Sequence, residues 1–211
     1  GEFADGAKPD EVEWERWAAR PEEVRVELAP MLPDRPVVVR PESTVYVPPG
    51  HEALFFVSIP LWLGLRVGPP PGTLLTEKPT LVLSNTWSGE PTHGELCYAL
   101  RTTARRSLGD LRLRPHRAVC PLHIGNDAGA TLEFSGVRVK VERLGLYRGA
   151  SWLWTPEVRF RAREEDELGE GGYGEEAPPF DDAEAAVSPP REPEARGRAR
   201  RAVDQLRSVS L

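Results

Sequence analysis

Short apolar runs of period two, cut apart by Pro and Gly, are what most limits the folds open to this chain. Val24, Val26 and Leu28 alternate with Glu23, Arg25 and Glu27, which predicts a strand with one buried and one wet face. Val137, Val139 and Val141 alternate with Arg138, Lys140 and Glu142 in the same way. Further strand-like runs lie at 36–39, 44–47, 53–59, 61–67, 73–76, 79–84, 94–104, 119–125, 130–147, 151–154 and 157–162, with 112–113 and 118–119 as shorter ones. Pro48-Pro49-Gly50, Gly68-Pro69-Pro70-Pro71-Gly72 and Asn126-Asp127-Ala128-Gly129 read as the turns and loops that separate them. Parallel strands need crossovers, usually helices, and hardly any helical pattern falls between the runs. The expected fold class is therefore all-β, mainly antiparallel: a β-sandwich, jelly-roll-like, spanning residues 8–163.

Two terminal stretches break the pattern. Residues 8–19 read as a short helix, with Pro9 suited to a first helical position and Asp10 and Glu11 in the first turn. Trp14 and Trp17 would share a face that packs over the domain. At the other end, 194–211 places Ala195, Ala199, Ala202, Val203, Leu206 and Val209 on one helical stripe among five arginines. That basic amphipathic helix is a candidate for docking back on the sandwich, on a second copy of the chain or on another protein.

Charge separates these regions. The net charge of −6 comes almost wholly from residues 164–193, which hold 11 acids and one base. Rich in Pro and Gly and poor in apolar residues, that segment is expected to be a flexible acidic linker. Residues 1–163 are nearly neutral, which gives no electrostatic reason to expect nucleic acid as a partner. No apolar run approaches the ~20 residues needed to span a bilayer, and no signal peptide is visible, so a cytoplasmic protein is expected. Gly1-Glu2-Phe3 reads as a cloning remnant, which leaves an upstream targeting segment open.

The residues that could carry chemistry cluster in 79–104. Asn85, Trp87, His93, Tyr98 and Arg101 form a candidate ligand-binding set around the 84–93 loop. Trp87 either caps the core or offers a platform for a ligand, and capping is the preferred reading. A zinc site would draw on Cys97, Cys120 and His123, since zinc accepts Cys and His in tetrahedral sets. His93 and Cys97, four apart on a strand, would be separated by about 13 Å and could not share one ion without a bend. Buried reduced thiols are preferred to either a metal site or a disulfide, and no cofactor is expected. A nucleophile built from Cys97 or Ser88 with His93 and Glu90 or Glu95 is disfavoured, because Cys97 sits between apolar neighbours. Arginines 101, 105, 106, 112, 114 and 117 form a basic run, read as a solvated face or a dock for the acidic 164–184 stretch.

Ser84-Asn85-Thr86-Trp87-Ser88-Gly89, followed by Gly94-Glu95-Leu96-Cys97-Tyr98-Ala99-Leu100-Arg101-Thr102, resembles the prokaryotic domain-of-unknown-function family numbered 432. Ala118-Val119-Cys120-Pro121-Leu122-His123-Ile124, Leu144-Gly145-Leu146-Tyr147 and Ser188-Pro189-Pro190-Arg191 look similar to its other segments, covering about 20–200. The resemblance implies a soluble prokaryotic protein and brings no catalytic residues with it. The expected role is a non-enzymatic interaction or structural protein. The alternatives are a ligand- or metal-binding module using the 84–93 loop, and an enzyme of unfamiliar type.

Overall fold

The structure is a computed structural model that describes residues 15–17, 25–103, 105–112, 114–164, 167–169 and 171–192. In chain order its strands are β1 (Val26–Met31), β2 (Val37–Pro41), β3 (Val45–Val47), β4 (Glu52–Pro60), β5 (Trp62–Val67) and β6 (Thr73–Pro79). Then come β7 (Asn85–Ser88), β8 (Glu95–Thr102), β9 (Arg117–Asn126), β10 (Leu132–Phe134), β11 (Val137–Val139) and β12 (Leu146–Arg148). The last are β13 (Leu153–Trp154), β14 (Val158–Glu164), β15 (Glu167–Leu168), β16 (Gly172–Tyr173) and β17 (Ala185–Ser188). The described residues are all-β, and their helical structure is confined to two three-residue 3-10 turns, Leu108–Asp110 and Val141–Arg143. No helix among them is long and apolar enough to cross a membrane.

Among the described residues the strands form four sheets: β1-β5-β6, β10-β3, β11-β2-β8-β7, and an eight-stranded sheet around β9. β9 is buried from Ala118 through Asn126, because it pairs antiparallel with β4 on one edge and parallel with β14 and β13 on the other. Its even residues, Ala118, Cys120, Leu122 and Ile124, enter the main core. There they meet Val37 and Val39 of β2, Leu100 of β8 and Val137 and Val139 of β11, so the core lies between two sheets. The odd residues of β9 point to the opposite face. Phe56, Val119, Trp154 and Ala183 form a smaller apolar cluster on that side.

Several expectations are corrected. Pairing is mainly antiparallel, as expected, but β2–β8, β9–β13 and β9–β14 are parallel, and their crossovers are built of strands and loops in place of the expected helices. The apolar face of β1 is turned outward, with Val26 and Leu28 59% and 62% exposed, while Ala29 and Met31 pack inward beside Trp62 and Gly64. Over that outer side, Glu15 pairs with Lys78 at 2.9 Å, and Lys78 stands opposite Leu63 in the ladder. The strand expected at 79–84 ends at Pro79, and Asn85–Ser88 pairs with β8 instead. Of the predicted helix 8–19 only 15–17 are described, and they are not helical; the predicted helix 194–211 lies outside the described residues.

The acidic segment differs most from expectation. Within it β16 pairs with β14, and β17 pairs with β12. Ala183 is buried and Phe180 packs on the smaller cluster. Arg191 forks onto Glu77 at 2.7 and 3.1 Å and donates to the Leu32 carbonyl. Its few apolar residues anchor on a surface that the sheets have already built, so it needs no core of its own.

Candidate functional site

The β7–β8 hairpin holds the residues that the sequence singled out, and it spreads them apart. Asn85 stands opposite Tyr98 in the ladder. The Tyr98 hydroxyl donates to Asp34 at 2.8 Å, and Arg35 lies over its ring. Trp87 is 49% exposed at the tip, where its indole N–H donates to the Glu90 carbonyl at 3.0 Å. His93, also exposed, pairs with the Thr92 hydroxyl. Arg101 lies five residues beyond Leu96, the ladder partner of Trp87, or about 17 Å along the strand. Asn85 and Tyr98 are thus neighbours, while Arg101 stands far along the strand from Trp87 at the tip.

The hairpin tip is closed by two glycines. Gly89 adopts φ +102°, a conformation that side chains rarely take. A Cβ on Gly94 would overlap the Trp87 indole nitrogen and come within 2.7 Å of the Glu90 carbonyl. Gly94→Ala is expected to expel the indole from its seat, red-shift tryptophan emission and cost about 1–3 kcal/mol in urea unfolding. Unchanged emission and stability would show that the indole is not seated there.

Cys97, Cys120 and His123 occupy three different environments. Cys97 is buried outside the main core, with its thiol against the Glu95 carbonyl at 3.4 Å. Cys120 is inside that core. Both thiols are free, and burial raises the pKa of each, that of Cys120 to about 12, which disfavours the nucleophilic thiolate. His123 points from the other face of β9, held between Glu52 at 2.9 Å and Glu157 at 3.3 Å. Among the described residues no group of three or more His, Cys, Asp or Glu side chains is placed to hold a metal ion.

The arginine run converges instead. After β8 the chain turns back across the outer face of β4 and β9. The backbone of Arg105 bridges to Phe56, whose N–H donates to the Arg105 carbonyl at 2.7 Å. Leu108 and Leu111 pack on the Phe56–Trp154 cluster, and Ser107 caps the turn between them. With its apolar residues pinned down, this loop presents Arg105, Arg112 and Arg114 to a recess also lined by Arg101 of β8 and Arg117 of β9. Phe56, Ser58, Val119 and Trp152 complete its wall, Glu42 and Asp110 are its carboxylates, and it encloses about 350 Å³. Arg117 donates one guanidinium N–H to the Ser58 carbonyl at 3.1 Å. Its Nε and the indole Nε1 of Trp152 are buried without a hydrogen-bond partner. Burial, with Arg114 close by, lowers the pKa of the Arg117 guanidinium. Arg106 lines a neighbouring recess.

The six arginines were visible in the sequence as a basic run. Their convergence was not, because Trp152, Phe56 and Glu42 come from distant segments. A family model described as "Protein of unknown function (DUF432)" matches residues 4–206. The chain belongs to this family. No curated protein and no solved structure matches it. For this member of DUF432, then, the functional reading rests on the recess itself.

Proposed function

We propose that this DUF432 domain is a non-catalytic binding module for an anionic ligand, held in the arginine-lined recess on the outer face of β4 and β9. The observation that carries the reading is the convergence of five arginines, from β8, the crossing loop and β9, on one recess that holds only two carboxylates. Guanidiniums donate and stay charged at any ordinary pH, which suits them to holding an anion rather than moving protons. The two-sheet core supports a β-sandwich body as the scaffold. The site sits on the outer face of its larger sheet, not in the 84–93 loop.

Isothermal titration of the full chain with phosphate, sulfate and citrate at low salt tests the proposal. Saturable binding that weakens as salt rises is expected. Arg112→Gln, at an exposed position, should lower affinity about tenfold, the loss of one charge-assisted contact. Arg148→Gln, exposed and outside the recess, should leave it unchanged. Absence of saturable binding for all three anions, or equal losses in the two variants, would overturn the proposal.

A further inference from the structure

The charge and layout of the recess narrow its ligand, and this step rests on the anion-binding reading. Five guanidiniums face two carboxylates, an excess of three positive charges within about 350 Å³. A single phosphate group brings about two negative charges at most, which leaves the recess positive. Two linked phosphates are the smallest such group that neutralises it. The donors also come from separate segments: Arg101 from β8, Arg105, Arg112 and Arg114 from the crossing loop, and Arg117 from β9. A carboxylate offers its acceptors in one plane, whereas the oxygens of a phosphate are tetrahedral and meet donors from several directions.

The recess is not isolated. A second one, of about 450 Å³, has Glu42 and Thr103 in its lining as well. Val45, Tyr46, Phe55 and Arg106 contribute to its lining, and Tyr46 is 65% exposed, so its ring is free to stack. We propose that the two recesses together take a small molecule bearing a diphosphate or longer phosphate chain. The phosphates sit among the arginines and the organic part lies against Tyr46.

Titrations of the full chain with pyrophosphate, inorganic phosphate, citrate and adenosine diphosphate, all at one ionic strength, test this. Pyrophosphate is expected to bind about tenfold or more tightly than phosphate or citrate, since a second set of charge-assisted contacts forms. Adenosine diphosphate should bind more tightly than pyrophosphate, and Tyr46→Ala should remove that difference while leaving pyrophosphate binding unchanged. Arg105→Gln and Arg112→Gln, both at exposed positions, should weaken pyrophosphate and adenosine diphosphate alike. Citrate or phosphate matching pyrophosphate overturns the diphosphate assignment while the anion site stands. Adenosine diphosphate no tighter than pyrophosphate, or indifferent to Tyr46→Ala, overturns the role of the second recess. Failure of every anion to bind removes the anion site as well.

Discussion

Asp181→Ala is expected to destabilise the protein by about 3 kcal/mol and to weaken anion binding at a recess that Asp181 does not line. The Asp181 carboxylate accepts from the Trp154 indole at 3.0 Å and from the backbone N–H groups of Ser151 and Trp152 at 2.9 Å each. Its carbonyl accepts from Ala150 at 2.7 Å. Gly149 permits this approach, since a Cβ there would overlap the carboxylate. Trp154 is fully buried, stacked on Phe180 and edge-on to Phe56, so its N–H has no water to turn to once the carboxylate is gone. Asp181 also holds φ +55°, which alanine tolerates poorly and asparagine tolerates well. Asp181→Asn keeps that backbone and one acceptor oxygen, and should lose about half as much.

The acid limb gives a second readout. Burial opposes ionisation of Asp181, but the hydrogen bonds from Trp154, Ser151 and Trp152 outweigh it and hold the carboxyl below its ordinary range. A lowered folded pKa contributes stability that is full above the unfolded value and is lost as pH falls through the folded one. The alanine variant should therefore lose less stability than the wild type between pH 5 and pH 2. Because Trp152 forms part of the recess wall, its release should also reduce phosphate or pyrophosphate affinity. A loss below about 1 kcal/mol at pH 7, within the range of ordinary surface substitutions, would sink the idea that Asp181 latches this segment to the sheet.

That latch marks where sequence reading stops in this chain. Short apolar runs marked β4, β9 and β14 and period-two alternation marked β11, and each of the four puts one face in the main core. Alternation could not say which face of β1 is inside: Val26 and Leu28 form the apolar stripe, yet Ala29 and Met31 are the buried pair. Partner sheets, not local pattern, decide that choice. The parallel pairing of β9 with β14 was hidden because the chain between them is itself strands and turns. Composition marked 164–193 as unable to pack, which holds for a segment that must build its own core. Tyr173, Phe180, Ala183 and Val187 need only reach a finished surface. The arginines were plain in the sequence as a charge run. Their common recess depends on the Arg105 bridge to Phe56, a contact about fifty residues apart in the chain.

Glu142→Gln should make the protein more stable, and only at neutral to alkaline pH. Glu142 sits in the 3-10 turn Val141–Arg143 with 6% of its surface exposed, and its Oε2 lacks a hydrogen-bond partner. Burial first, then the nearby carboxylates of Glu95 and Glu192, raise its pKa from 4.5 to about 7, against a partial offset from its own backbone N–H and, less, from Lys140. A raised carboxyl pKa means the fold prefers the protonated form. Its stability is unpenalised below about pH 4.5, falls as pH rises toward 7, and levels off above. The gap between the two pKa values corresponds to a penalty of about 3 kcal/mol above pH 8. Glutamine is close in shape, carries no charge and does not titrate. Urea unfolding should find the variant and the wild type nearly equal at pH 4.5, with the variant ahead by about 2–3 kcal/mol at pH 8.5. Parallel stability curves for the two proteins across that range would mean that Glu142 ionises freely and is not the buried acid its surroundings make it. Divergence at high pH would instead locate a proton-sensitive element where the turn at 141–143 meets Glu95 of β8 and the end of the acidic segment, whose Glu192 N–H donates to the Glu142 carbonyl at 2.9 Å.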